Sequence, residues 1–225
     1  MATYVLIHGA ADSGWFWHLV EAELRARGHD AVAPDLPCDD DAAGLAEYAD
    51  TVVGAVGDRT GLIVVAQSFG AFTAPLVCDR VPVDLLVLLA GMVPAPGERP
   101  EDWLANTGYA DARREQTERE GPPPEDDIGL FYHDVPADLA AEALRRGRHQ
   151  SDTPGTKPWP LPAWPDVPTR FLLCRDDRLF PAEFMRRVAR DRLGITADEI
   201  DGSHCVALSR PAALADRLEA FRTAR

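Results

Sequence analysis

Residues 62–71 have the sequence Leu62-Ile63-Val64-Val65-Ala66-Gln67-Ser68-Phe69-Gly70-Ala71. An apolar and mostly β-branched run ends here at a serine, and small, helix-forming residues follow, which predicts a strand, a sharp turn and a helix. A serine on such a turn lies in strained backbone, so the positions two residues away must be small, as Ala66 and Gly70 are. The pattern indicates a nucleophile elbow with Ala66 in place of the first glycine. The alternative, an ordinary turn with a capping serine, stays open until partner residues are found.

Strand and helix patterns alternate along the chain. The apolar patterns predict strands at residues 3–8, 29–34, 62–66, 83–89, 169–174 and 195–200. Helical patterns follow at residues 15–27, 42–56, 69–78, 181–193 and 211–224. Such alternation predicts an α/β fold, a three-layer α/β/α sandwich with a six-stranded, mostly parallel sheet and right-handed connections.

The alternation breaks at residues 93–167, which are rich in Pro, Glu, Asp and Trp and contain one helical pattern, at residues 136–146. A stretch this long is not expected to be a structureless loop in a compact domain. We therefore expect a partly helical cap at residues 93–167, inserted into a core formed by residues 1–92 and 168–225.

The composition narrows the class of protein. A chain of 225 residues without a membrane-length apolar run, and with strand-like sequence where a secretory leader would lie, predicts a cytoplasmic globular protein. The four cysteines form no C-x-x-C pair, which favours free thiols. A net charge of −14 argues against nucleic-acid and anionic-membrane partners. The expected partner is a small-molecule, ester-like substrate, and the sequence leaves a homodimer open.

Three predicted strands are followed by residues suited to nucleophilic catalysis. Ser68 follows the third strand, Asp177 the fifth and His204 the sixth, and ligands of parallel sheets bind at these carboxyl ends. Serine is a weak nucleophile that needs a base, and imidazole titrates near neutral pH. An aspartate would then hold the imidazole tautomer. We expect Ser68 as nucleophile, His204 as base and Asp177 as acid.

Other residues complete this hypothesis. The backbone amides of Ala10 and Phe69 are expected to stabilise an oxyanion. Asp177 is preferred over Asp176 because it stands four places before Pro181, which leaves Asp176 as a solvated neighbour. Cys205 adjoins His204, but no further ligand set with metal spacing accompanies them, so neither a metal nor another cofactor is predicted.

These residues together resemble the α/β-hydrolase superfamily, and most closely its branch of plant methyl-ester esterases, hydroxynitrile lyases and bacterial relatives. The resemblance rests on five segments: Tyr4–Ala10, Gly14–Trp17, Ala66–Gly70, Asp177–Phe184 and Gly202–His204. It implies the same three catalytic residues and the same two oxyanion amides. It also implies a core that lacks the first two strands usual for the superfamily.

The resemblance separates two reactions and suggests a pocket. Hydroxynitrile lyases of this branch carry Thr where this chain has Gly9 and Lys where it has Cys205, so the resemblance favours hydrolysis. Aromatic residues of the cap are expected to roof an apolar pocket, although each could instead pack the cap on the core. The residues predicted to line the pocket are Gly9, Ala11, Phe131, Trp159 and Cys205.

The sequence thus predicts a cofactor-free serine hydrolase that cleaves a small ester or lactone through an acyl-enzyme. Two alternatives stay open. The same three residues could carry out C–C lyase, acyl-transfer or natural-product tailoring chemistry, or the protein could bind a small molecule without turnover.

Overall fold

The computed structural model of this protein describes residues 1–224. One sheet contains six strands, namely β1 (Thr3–Ile7), β2 (Asp30–Val32), β3 (Leu62–Gln67), β4 (Val83–Leu89), β5 (Thr169–Cys174) and β6 (Asp198–Ile200). Their order across the sheet is β2-β1-β3-β4-β5-β6, and all neighbours pair in parallel. The predicted six-stranded parallel sheet is confirmed. The edge strands β2 and β6 are shorter than their patterns predicted, since only three residues of each pair with the neighbouring strand.

Helices cover both faces of the sheet. They are α1 (His18–Ala26), α2 (Leu45–Val56), α3 (Ala74–Cys78), α4 (Trp103–Asn106), α5 (Tyr109–Glu120), α6 (Asp127–Phe131), α7 (Ala137–Arg146), α8 (Thr153–Thr156), α9 (Ala182–Leu193), α10 (Val206–Ser209) and α11 (Pro211–Thr223). Single 3₁₀ turns occupy Gly14–Trp17, Ser68–Phe72 and Pro100–Asp102. None of the helices within residues 1–224 is long and apolar enough to cross a membrane.

The sheet separates two apolar cores. In β1 the fully buried side chains alternate, so that Tyr4 and Leu6 contribute to one core while Val5 and Ile7 contribute to the other. The first core includes α1, α10 and α11, and the second includes α2, α3 and α9. Because both faces are covered, the central strands are continuous apolar runs.

The segment between β4 and β5 contains the five helices α4–α8. Two of its tryptophans are fully buried, and their indole N–H groups donate hydrogen bonds, from Trp103 Nε1 to the Val93 carbonyl (2.8 Å) and from Trp159 Nε1 to the Phe72 carbonyl (3.0 Å). The sequence predicted one helix here, and α7 lies within that prediction. Helices α4, α6 and α8 have four or five residues each, too few to show a periodicity, and α5 buries only Ala112.

The chain after β3 differs from the single helix predicted for residues 69–78. It forms the 3₁₀ turn Ser68–Phe72 and then the short helix α3. Gly70 lies in this turn, and a Cβ on it would be 2.6 Å from the His8 carbonyl oxygen. The turn therefore packs directly on the chain that leaves β1, and a glycine is required at the point of closest approach.

Candidate active site

Ser68 lies at the junction of β3 and its 3₁₀ turn. Its backbone φ is +51°, in the left-handed region that residues other than glycine rarely adopt. Strained backbone of this kind concentrates at functional sites. The small Ala66 and Gly70 flank the serine, which is 8% exposed. The sequence-derived expectation of a strained serine between small neighbours therefore agrees with the local geometry.

Asp177 and His204 follow β5 and β6 and meet at the carboxyl end of the sheet. Asp177 Oδ2 lies 2.7 Å from His204 Nδ1, and both side chains are almost fully buried. The other carboxylate oxygen, Oδ1, accepts hydrogen bonds from the amides of Leu179 (2.8 Å) and Phe180 (3.0 Å). With its acceptors occupied in this way, Asp177 is fixed in orientation. A proton on His204 Nδ1 leaves Nε2 as the free acceptor.

Two aromatic rings pack against the His204 imidazole. Phe180 and Phe131 have ring centroids 5.4 Å and 5.8 Å from it, both in edge-on geometry. Phe131 belongs to α6 in the inserted segment, whereas Phe180 belongs to the loop after β5. The imidazole is therefore held between the core and the insertion in largely apolar surroundings.

The loops that carry Asp177 and His204 are bonded to each other and to the segment between β4 and β5. Asp176 is exposed, in agreement with its interpretation as a solvated neighbour, and its Oδ2 also accepts a hydrogen bond from the Gly202 amide (2.9 Å). From the insertion, Asp134 Oδ2 accepts a hydrogen bond from the Ser203 amide (3.1 Å), and His133 Nε2 lies 2.9 Å from the Asp176 carbonyl. Sequence patterns gave no indication of Asp134, because its partner lies 69 residues away.

The loop after β1 is held by a buried histidine. His8 Nδ1 lies 2.8 Å from the Gly9 carbonyl, and the Leu36 amide donates to His8 Nε2 (3.0 Å). Burial lowers the pKa of His8 to about 4, so the ring is neutral and both contacts are made by one tautomer. These bonds tie the loop that carries Ala10 to the chain that follows β2.

Gln67 also contacts this loop. Its Oε1 occupies the space beside Gly9, where a Cβ would be only 2.2 Å away, and its Nε2 lies 3.4 Å from the His204 carbonyl. No sequence pattern indicated a role for Gln67. Its buried side chain touches both the loop after β1 and the loop of the histidine.

A cavity of about 830 Å³ opens over Ser68. Its wall includes seven of the residues selected from the sequence, namely Ala10, Ala11, Ser68, Phe69, Phe131, His204 and Cys205. Further apolar wall is supplied by Phe16, Met92, Leu104, Tyr109 and Leu144. Polar side chains of the wall include Asp12, Asp127, Tyr132 and Arg148.

Two residues predicted to line the pocket lie elsewhere. Gly9 is covered by the side chain of Gln67. Trp159 is fully buried and stacks on Trp164, and its indole bonds the core, so it packs the insertion on the sheet. A tryptophan between β4 and β5 could line the cavity or pack against the sheet. The contacts of Trp159 show that it packs against the sheet.

The amides expected to bind an oxyanion both belong to the cavity wall. Phe69 is the second residue of its 3₁₀ turn, where a backbone amide has no intrahelical acceptor. The Ala11 amide, by contrast, is already bonded to Gln150 Oε1 (3.1 Å). Of the two adjacent amides in this loop, that of Ala10 is therefore the candidate donor.

Cys205 follows His204 and lies in the cavity wall. Its thiol is buried, and burial raises the pKa of that thiol well above its ordinary value, so it is a neutral group. Within residues 1–224 no three His, Cys, Asp or Glu side chains are grouped as metal ligands.

Comparison with known proteins places this arrangement in a family. The model of the alpha/beta hydrolase family matches residues 4–217. The chain is 27% identical to the probable esterase PIR7A of Oryza sativa over 96% of this chain and 94% of that protein. It is 21% identical to norfluorocurarine synthase 1 of Strychnos nux-vomica over 96% of this chain and 93% of that protein.

A solved structure shows the same fold. An extracellular alpha/beta-hydrolase from a Paenibacillus species, described as structurally and functionally homologous to tobacco salicylic acid binding protein 2, has a TM-score of 0.78. The identity is 19%, and the match covers 97% of this chain and 98% of that one. The resemblance inferred from the motif segments is therefore confirmed. Because the family model spans nearly the whole sequence, this chain belongs to the alpha/beta hydrolase family.

Proposed function

We propose that the protein is a carboxylic ester hydrolase that cleaves a small ester or lactone, with Ser68 as nucleophile, His204 as base and Asp177 as acid. The observation that carries the proposal is the 2.7 Å contact between Asp177 and His204 beside one cavity whose wall includes both His204 and the strained Ser68. The similarity to the probable esterase PIR7A, which covers nearly the full length of both chains, supports the same class of reaction.

In the first half of the reaction, His204 Nε2 takes the proton of Ser68 Oγ while that oxygen bonds to the ester carbonyl carbon. The carbonyl electron pair moves to its oxygen, and the amides of Ala10 and Phe69 donate hydrogen bonds to this oxyanion. Losing one such donor typically lowers the rate by roughly 10²–10³. Asp177 stabilises the imidazolium and itself stays ionised.

In the second half, the tetrahedral intermediate collapses and its C–O bond to the alcohol breaks. The leaving alcohol takes the proton from His204, and an acyl-enzyme on Ser68 remains. Water then attacks the acyl carbon with His204 again as the base, and the acid is released. The net reaction consumes one water and needs no other co-reactant.

The size and lining of the cavity limit the substrate. A volume of about 830 Å³ accommodates a small molecule of ordinary ligand size. Phe16, Met92 and Leu104 supply apolar surface for an acyl or aryl group. A small, largely apolar ester or lactone therefore fits better than a polymeric substrate.

A fluorophosphonate probe and an ester panel test the proposal. The probe should attach covalently to Ser68, and Ser68→Ala should abolish both labelling and the hydrolysis of short aryl esters. Ser209→Ala is a matched control, because Ser209 Oγ is buried without a hydrogen-bond partner and lies outside the cavity wall. Intact mass spectrometry and release of the aryl alcohol are the measurements.

A second reaction class has one observation in its favour, the full-length similarity to norfluorocurarine synthase 1. Labelling of Ser68 together with negligible hydrolysis across the panel would point to lyase, acyl-transfer or tailoring chemistry on the same residues. Absence of both labelling and hydrolysis in the pure, folded protein would overturn the proposed catalytic serine.

A further inference from the structure

Asp12 is a carboxylate in the wall of the cavity that the proposed reaction does not use. It lies two residues beyond Ala10, on the same loop after β1. Its Oδ1 accepts a hydrogen bond from the Ser13 amide (2.7 Å). Within residues 1–224 its other carboxylate oxygen has no hydrogen-bond partner.

Among residues 1–224 no cation forms an ion pair with Asp12, although Arg148 is near enough to lower the pKa of its carboxyl group. Arg148 also lies in the cavity wall, but its guanidinium bonds the Leu36 carbonyl (2.8 Å) and the carboxylate of Asp39. Asp35 adds negative charge nearby, and its Oδ1 accepts from the Gly14 amide. Asp12 is thus a negative group with one free oxygen.

The adjacent polar groups do not supply the missing donor. Tyr132 and Cys205 are near enough to feel the charge of Asp12, but within residues 1–224 neither side chain forms a hydrogen bond with it. Both carry protons with a pKa raised by burial, so neither contributes a charge. Asp12, Tyr132 and Cys205 together form a polar corner in a mainly apolar cavity.

Asp12 is partly buried, and the cavity lies in front of it. Burial raises the pKa of Asp12 to about 6, which is above its ordinary value and still leaves it largely ionised at neutral pH. Partial burial weakens the hydration of this carboxylate, and a hydrogen-bond donor brought by a ligand would replace the lost hydration. Residues that reduce stability in a binding cavity are commonly retained for function.

We propose that Asp12 determines substrate specificity by accepting a hydrogen bond from a donor group, a hydroxyl or a protonated amine, carried by the acyl or alcohol part of the substrate. This assignment rests on the proposed ester hydrolysis and narrows its substrate to esters with a polar, donating end. The apolar wall would hold the rest of the molecule, while the polar corner sets its direction in the cavity.

Binding to a variant without the nucleophile tests the assignment independently of turnover. The ligands are phenylpropylamine, phenylpropanol and propylbenzene, which share one apolar body, and Kd is measured by calorimetry on Ser68→Ala. Adding Asp12→Asn keeps an acceptor for the Ser13 amide but removes the charge. The Kd of phenylpropylamine should then rise by roughly 10- to 100-fold, as expected for a lost hydrogen bond to a charged group, with propylbenzene unchanged.

The controls separate a local effect from a general one. Asp58→Asn removes the same charge from an exposed position away from the cavity and should leave all three affinities unchanged. If propylbenzene binds equally well with and without Asp12→Asn, the substitution has left the cavity intact. If Kd rises for the amine alone, Asp12 prefers a cationic donor. If Kd rises for the alcohol as well, Asp12 accepts hydrogen bonds from neutral and cationic donors alike. Both results support the assignment.

Equal changes for all three ligands, or no change for the amine and the alcohol, would overturn it. In the enzyme with Ser68 intact, the methyl ester of a hydroxy acid is compared with that of its methyl ether, and Asp12→Asn should reduce kcat/KM for the hydroxy ester only. If no ester is hydrolysed, the proposed function fails while calorimetry still decides the role of Asp12.

Discussion

At the scale of single residues, the site depends on side chains that occupy one another's space. The clearest case is Gln67, whose Oε1 lies where a Cβ on Gly9 would need to be, 2.2 Å away. Since Gln67 is buried and its Nε2 contacts the His204 carbonyl, it cannot move without disturbing the loop of the histidine. Gly9 is therefore small for a steric reason, since the Gln67 side chain leaves no room for a Cβ.

This packing predicts that Gly9→Ala lowers the free energy of unfolding by about 1–3 kcal/mol, as overpacking of a dense interior does. Combining it with Gln67→Ala, which vacates the space, should be less destabilising than the sum of the two single changes. Urea unfolding of the four proteins measures the interaction energy. Strict additivity would show that the two residues do not compete for space.

Gly54→Ala is the matched control for this cycle. Gly54 lies within α2, and nothing lies within 4 Å of a Cβ built on it. Alanine should therefore stabilise the helix there by about 0.5–1 kcal/mol. A glycine-to-alanine substitution should therefore raise the free energy of unfolding at position 54 and lower it at position 9, because only Gly9 is a point of close approach.

At the scale of secondary-structure elements, the site lies where three segments meet. The loop after β5 carries Asp177, the loop after β6 carries His204, and the connection between α6 and α7 bonds both loops through His133 and Asp134. The segment between β4 and β5 therefore supports the loop of the proposed base and also supplies part of the cavity wall.

We expect Asp134→Ala to reduce kcat by roughly 10- to 100-fold with little change in KM, because loss of the Ser203 amide's acceptor loosens the loop that places His204. Asp134 is a positioning residue in this account, and Asp134→Asn, which retains an acceptor, should restore most of the rate. The measurement is steady-state kinetics on a short aryl ester.

Asp138→Ala, an exposed carboxylate in the first turn of α7, is the control and should leave both constants unchanged. If Asp134→Ala instead raised KM alone, the segment would act on substrate binding and not on the placement of His204. Equal rates for Asp134→Ala and the parent enzyme would show that the bond to Ser203 is dispensable.

At the scale of the whole molecule, the two cores on either side of the sheet hold buried groups whose ionisation couples to folding. His8 is the clearest example, since it is fully buried and its pKa is about 4 in the folded protein against 6.5 for an ordinary histidine. Between these values the unfolded chain binds a proton that the folded protein does not bind.

The contribution of His8 to stability is therefore intact above about pH 6.5 and decreases as the pH falls toward 4. Between pH 7 and pH 5 the loss should be about 2 kcal/mol. His8→Gln should be less stable at pH 7 yet lose less stability over this range, as measured by urea unfolding at both pH values. An unchanged pH dependence in this variant would contradict the explanation, and His149→Gln, at an exposed histidine, is the control.

Much of the architecture was predictable because it depends on local patterns. The continuous apolar runs predicted the central strands, and their alternation with helices predicted a parallel sheet. The choice of Ser68, Asp177 and His204 also came from local context, since each follows a predicted strand in a recognisable short sequence. Their catalytic roles stay predictions until they are tested.

The short helices α4, α6 and α8 were not predicted, because four or five residues carry too little periodicity. The polar helix α5 was missed as well, since it buries only Ala112 and so has no apolar stripe. Trp159 was assigned to the cavity although it packs the insertion on the core, because an aromatic side chain suits either place.

The layers of the fold, the strained turn at Ser68 and the order of the candidate catalytic residues follow from neighbours along the chain and were therefore predictable. Three contacts are visible only in the folded chain: Gln67 fills the space beside Gly9, Asp134 bonds the loop of His204, and Asp12 faces a cavity with one oxygen free. The physical reason is that these contacts join segments distant in sequence or depend on which wall encloses a side chain, and no local pattern carries that information.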